Sequence, residues 1–249
     1  MKKAYNGRLV RFIRRKANAF ISKRLEVRVL TGFAAIAIAI LMFTEFLVKI
    51  AMGSRPSLGD GAALSDFITN NATQTLAIII IDTLLMSCLI IFFAGFRQLI
   101  IRSKRELSWI TDLAFGAGLV FVAVTLVGDA MDAGAALDTV GNYAADPSVL
   151  RALTEGHMLL FGSIGCILTA LVTATFAYTT FASNAVSKWT GWVGYGVAVL
   201  NLLAVPTVFG GTSATSFFSA GGAAVTLLAT FPFLAWVIVV GIVTIRKQT

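Results

Sequence analysis

The feature that most restricts this chain is a recurrence of six apolar stretches, at residues 29–51, 75–96, 109–130, 155–177, 189–209 and 223–245. A helix rises 1.5 Å per residue, so about 20 apolar residues cross the hydrocarbon core of a bilayer. Within that core every backbone amide needs a partner, which restricts spanning segments to helices or closed barrels. Runs of this length predict helices. The expected fold class is therefore all-α: a polytopic membrane protein built as a six-transmembrane-helix bundle over residues 29–249. Six spans and their connections leave no stretch for a separate soluble catalytic domain. Composition agrees, with 57% hydrophobic and 13% charged residues, where a soluble domain carries about 25% charged.

Charge is as unevenly distributed as hydropathy. The chain holds 20 Lys and Arg against 12 Asp and Glu, and ten of the basic residues lie within residues 1–28. On a helix, Leu9, Phe12, Ile13, Ala17 and Phe20 share one face, and Arg8, Arg11 and Arg15 share the other. Arg14, Lys16 and Lys23 add to its charge. This is the pattern of a basic amphipathic N-terminal helix lying in the membrane interface, with anionic lipids as partners rather than nucleic acid. A topology signal without a specific partner fits the same residues.

An even number of spans places both termini on one side. Seventeen of the 20 Lys and Arg fall there, and only Lys49, Arg55 and Arg151 fall on the other. Positive charge is retained in the cytoplasm, so both termini are expected to be cytoplasmic, with Trp109, Trp189 and Trp192 at the inner interface. The acids then gather in the outer half. Residues 128–157, the outer connection between the third and fourth spans, hold five carboxylates and the only histidine. The middle of that connection, residues 138–151, reads as a solvated loop, and residues 53–74 and 210–222 read as polar, breaker-rich loops.

Several of these polar residues lie where water is scarce. Asp82 sits roughly 11 Å inside the outer end of the second span at 1.5 Å per residue. A charge in hydrocarbon costs about 2.5–3.5 kcal/mol on insertion scales, so it needs a partner or a task. Asp82 is either a proton or cation site or a structural hydrogen-bond partner of Asn201 or Lys49. Glu45 and Lys49, four apart, share a helix face and are expected to pair. Asp129 and Asp132, three apart, share a face if their helix continues, and would share a proton or bind a cation; a solvated helix end is the plainer reading. Glu155 and His157 are weighed as a carboxylate–histidine metal site against an interfacial histidine with no ligand role. Asn201 and Pro206 interrupt the fifth span, where Gly191, Gly194 and Gly196 favour close helix packing. The ligand- or proton-binding set is thus Glu45, Lys49, Asp82, Asp129, Asp132, Glu155, His157 and Asn201. No catalytic or metal-ligating residue is assigned, and the cofactor is unknown.

Enzyme chemistry finds little support. One histidine excludes bis-histidine haem and multi-histidine zinc centres, and Cys88 and Cys166 lie mid-span with no metal or redox spacing. No Gly-rich phosphate loop, nucleophile elbow or HExxH occurs.

Short stretches in order, TEFLVK at 44–49, LGD at 58–60, Asp82, EGH at 155–157 and GWVGY at 191–195, carry a family likeness. Through them the chain resembles an uncharacterised bacterial family of six-helix integral membrane proteins, a domain of unknown function numbered four-three-eight-six. The likeness runs from about residue 28 onward and implies the helix count and a bacterial inner-membrane location, but no activity. The basic N-terminal helix and the Asp129/Asp132 pair depart from the family pattern. Two functional readings remain. One is a membrane protein whose outward-facing acidic cavity binds or transports a cation, proton or small amphiphile. The other is a non-catalytic accessory or structural subunit with protein partners in the membrane.

Overall fold

A computed structural model describes residues 27–140 and 146–246. The basic helix expected at the N-terminus, with Arg8, Arg11, Arg14, Arg15, Lys16 and Lys23, lies outside the described residues. Among the described residues the fold is all-helical. The first span is α1 (Val27–Met52). A short helix, α2 (Gly61–Asn70), precedes the second span, α3 (Ala72–Ser103), and a 3₁₀ turn over Arg105–Leu107 leads into the third, α4 (Ser108–Val140). The fourth span joins α5 (Pro147–Leu159), a π-helical turn (Leu160–Ile164) and α6 (Gly165–Ser183). The fifth is α7 (Lys188–Ala204) with a 3₁₀ turn (Val205–Gly210), and the sixth a π-helical segment (Val225–Thr230) followed by α8 (Phe231–Arg246). Six of these units are long and apolar enough to cross a membrane. The chain is a multi-pass membrane protein whose apolar helices contact lipid.

The spans pack as a closed ring in chain order. α1 packs on α3, α3 on α4, α4 on α6, α6 on α7 and α7 on α8, and α8 returns to α1. Lipid gives apolar helices no hydrophobic reason to associate, so close approach at small residues must hold the seams. A Cβ on Gly241 of α8 would stand 2.2 Å from the Ala35 Cβ of α1, and one on Gly95 of α3 would stand 2.0 Å from the Thr31 Oγ1 of α1. In α7, Gly191 and Gly194 likewise receive Phe181 and Trp236, whereas Gly196, expected to do the same, faces open space.

The two faces of the ring differ. At the terminal face, where Val27 and Arg246 lie, the interior is filled by aromatic rings. Phe96 meets Phe176 edge-on with centroids 4.7 Å apart, and Phe92, Phe93, Phe233 and Trp236 join them. The Trp236 indole donates to the Thr190 carbonyl at 3.0 Å, so this packing leaves its one polar atom satisfied. At the opposite face, α2, α5 and the end of α4 form a cap with its own small core of Leu58, Leu64, Ile68, Ala135 and Leu150. Asp60 caps α2 by accepting from the Ala63 amide. Asp146 caps α5 by accepting from the Ser148 amide, with Pro147 at the first helical position. The Ser148 hydroxyl and amide hold the Asp146 carboxyl below the ordinary carboxylate range.

The cap corrects three expectations. Residues 53–74 are a loop only in part, because they contain α2. The third span continues to Val140 and the fourth begins at Pro147, so Asp138 and residues 147–151 are helical rather than loop. Apolar windows end where hydropathy falls, but α4 stays helical past the hydrocarbon because Ala133, Ala135 and Ala136 still have a protein surface to pack on.

Substituting Gly241 by Val should separate α1 from α8. Overpacking of a tight contact costs about 1–3 kcal/mol, so thermal unfolding in mild detergent should show an earlier transition than for the same substitution at Gly196.

A charged double chamber at the cap end of the ring

Two cavities lie inside the ring, one above the other. The first, about 360 Å³, adjoins the cap and is the more polar of the two, with Arg55, Asp129, Asp132 and His157 in its walls. The second, about 220 Å³, lies toward the aromatic layer and is apolar, walled by Met42, Leu85, Leu89, Phe121 and Cys166 among others. Lys49, Asp82, Phe161 and Thr226 line both, so these four side chains form the partition.

The charged groups of the chambers come from α1, α3, α4, α5 and, for Arg55, the segment after α1; the Lys49 side chain stays 53% exposed. Lys49 and Glu45, one turn apart on α1, form an ion pair at the partition. Asp82 is buried on α3, with Glu45, Lys49 and Asp129 as the charged groups facing it. Asp129 and Asp132 both face the polar chamber from α4, as three-residue spacing on a continuing helix requires. Their surroundings differ. Asp132 receives the Arg55 Nη2 at 2.7 Å, and the Arg55 guanidinium also lies 6.0 Å from the Phe67 ring centroid. Asp129 is only 5% exposed, and its Oδ2 is buried with no hydrogen-bond partner. Its Oδ1 lies 4.0 Å from the His157 Nδ1, and the His157 ring lies nearly parallel to Phe161 with centroids 5.8 Å apart.

The sequence-derived set therefore divides. Lys49, Asp82, Asp129, Asp132 and His157 line the polar chamber, and Glu45 and Asn201 join Lys49 and Asp82 around the apolar one. Asn201 donates to the Val197 carbonyl of its own helix at 2.9 Å, not to Asp82. Glu155 stands apart: it pairs with Arg151 at 2.8 Å and lines neither chamber. Residues two apart on a helix are about 200° apart in azimuth at 3.6 residues per turn, so His157 turns inward as Glu155 turns away. Among the described residues, no three His, Cys, Asp or Glu side chains group in a way that could hold a metal ion.

Three contributors were not singled out from sequence. Arg55 had only its place among the three basic residues on this side to mark it. Phe161 and Thr226, carried on π-helical segments, had no sequence signal. The loop after Gly210 also reaches the site, with Gly221 and Gly222 lining the polar chamber. It is folded back on itself by the Ala220 amide on the Gly211 carbonyl and the Ala224 amide on the Phe217 carbonyl. A Cβ on Gly222 would fall 2.0 Å from the Ser216 carbonyl oxygen. No family model, no curated protein and no solved structure matches the chain.

The two cross-checking ion pairs should behave differently. The Arg55–Asp132 pair is mostly enclosed, with side chains 24% and 17% exposed, whereas Arg151–Glu155 is open, at 54% and 38%. Arg55→Ala leaves a carboxylate without its hydrogen-bonded cation and should destabilise by about 1–3 kcal/mol. Arg151→Ala should change stability by less than about 1 kcal/mol. Chemical unfolding of both variants in one detergent checks the order.

Proposed function

We propose that this chain binds a small amphiphile inside the membrane, holding its polar end in the cap-side chamber and its apolar end in the deeper one. The observation that carries the reading is the shared partition: a polar and an apolar cavity meet at Lys49, Asp82, Phe161 and Thr226. Ligand sites are mostly apolar hollows with a few placed polar groups, and here a more polar hollow adjoins a more apolar one, as head and tail adjoin in an amphiphile. Phe46 supports access from the bilayer. It lines the apolar chamber, is exposed on the outside of α1, and meets Phe231 of α8 edge-on with centroids 6.0 Å apart. A bare ion needs neither an apolar chamber nor a lipid-side entrance.

In this reading the cap faces the outside of a bacterial inner membrane and the termini face the cytoplasm. Arg97, Arg102, Lys104, Arg105 and Lys188 support that orientation, since all lie at the terminal face by chain order. Trp109, Trp189 and Trp192 are exposed there, in keeping with an interfacial belt. A fluorescent protein fused after residue 249 should then fold and fluoresce, and alkaline phosphatase fused there should be inactive; the reverse pattern would overturn the orientation.

The cavity reading has a direct probe in Cys166, which is buried and borders the apolar chamber. Cys88 lines neither chamber, so Cys88→Ser leaves a single reporting thiol. In phosphatidylcholine nanodiscs, a small uncharged maleimide should label Cys166, and an octyl-chain amphiphile should slow the labelling several-fold. Labelling indifferent to every octyl compound would remove the reading.

A further inference from the structure

Resting on that reading, we infer that the polar end of the ligand is a protonated aliphatic amine, received by the Asp129 carboxylate beside Asp82. The chambers hold two side-chain cations and four carboxylates. Lys49 is paired with Glu45, and Arg55 with Asp132. Asp82 shares a hydrogen bond with Glu45, and Asp129, 4.0 Å from His157, is the acid whose Oδ2 has no partner; both Asp82 and Asp129 line the polar chamber. A positive group beside Asp129 matches that acid.

The Asp129 Oδ2 specifies more than charge. It is a buried acceptor without a donor, in a residue only 5% exposed. Such an atom loses its solvation on folding and gains nothing back until a donor arrives. A primary ammonium brings three N–H donors on a compact charge, as a lysine head does. A quaternary ammonium brings charge without donors, and a carboxylate or phosphate end would meet four acids. Phe161 adds an aromatic ring at the partition, a surface that attracts organic cations and not anions. A multidentate metal ion is disfavoured by the spread of the acids, since no three of the described His, Cys, Asp and Glu side chains group around one point. The alkyl end of the amine then lies past Lys49 and Thr226 among Leu85, Leu89 and Cys166.

An ammonium of this kind is carried by free alkylamines and by phosphatidylethanolamine, and the test separates them. In the Cys88→Ser protein in phosphatidylcholine nanodiscs, Cys166 labelling is titrated at pH 7 with octylammonium, octyltrimethylammonium, octanol and octanoate. Octylammonium is expected to protect at the lowest concentration, with octyltrimethylammonium next and octanoate last. Asp129→Asn, which keeps the shape and removes the charge, should weaken octylammonium roughly tenfold or more and leave octanol unchanged. A parallel set of nanodiscs doped with phosphatidylethanolamine reports the lipid source: protection there without added amine assigns the site to the lipid, and its absence assigns it to a free amine. Either supports the inference. If octanol or octanoate protects as well as octylammonium, or if Asp129→Asn leaves octylammonium unaffected in a folded protein, the amine is wrong while the amphiphile cavity stands. Should Asp129→Asn fail to fold, the order of the four head groups on the unsubstituted site decides. If no octyl compound protects Cys166, the cavity reading falls and the amine with it.

Discussion

A charge in hydrocarbon has to be solvated by something, and for the buried Asp82 and Asp129 that solvent is the rest of the ring. Glu45, Lys49, Asp82, Asp129 and Asp132 are contributed by three different spans, and each lines one or both interior chambers. An isolated carboxylate at that depth is expensive. Gathered together, the acids can be matched to Lys49 and Arg55 in a shared interior, which reduces the cost for those that pair. The remaining imbalance sits at the point where the polar chamber narrows toward the apolar one. That the ring is hollow at one end and solid at the other follows from the same logic. Phe92, Phe93, Phe96, Phe176 and Trp236 fill the terminal end among themselves, and the charged side chains line the chambers at the other.

Among the described residues the π-helical backbone lies at the hollow end. The π-helical turn at Leu160–Ile164, where Gly162 leaves helical geometry, and the π-helical start of the sixth span at Val225–Thr230 both border the chambers. The 3₁₀ turn at Val205–Gly210 lies next to the first of them, and the Ser163 hydroxyl donates to the Val205 carbonyl at 2.8 Å. In a membrane, non-helical backbone is tolerated where protein or a cavity receives its polar groups. Single π turns recur at functional sites because they rotate the following side chains out of register with the rest of the helix. Here Phe161 and Thr226, shared by both chambers, lie within the two π-helical segments.

The six spans were legible because apolar length is a one-dimensional signal that needs no partner to be read. The cap was not, because α2 and the ends of α4 and α5 are helical by packing on one another rather than by apolar length. Inside the site, inward orientation could be read where helix phase could be counted, as for Asp129 with Asp132 and for Glu45 with Lys49. It failed for Glu155, grouped with His157 by adjacency although a helix sends the two in nearly opposite directions. It also failed for Phe161 and Thr226, which lie on π-helical segments that no sequence pattern marks. The charge at Asp129 was visible in sequence. Its missing hydrogen-bond donor was visible only in three dimensions.

The α1–α8 seam has a consequence for how such a protein is made. Every other seam in the ring joins spans that are consecutive in the chain, so each can form as soon as its second member enters the bilayer. The contact of Gly241 with Ala35 joins the first span to the sixth. During synthesis α1 must therefore wait, with one flank open to lipid, while about two hundred residues follow it. It is the least enclosed of the six spans even in the finished ring. The chambers acquire their last wall, and Asp82 its full shelter, only at that moment. The apolar chamber, walled in part by Phe231, Phe233 and Leu234 of α8, is therefore complete only once the last span has joined the first.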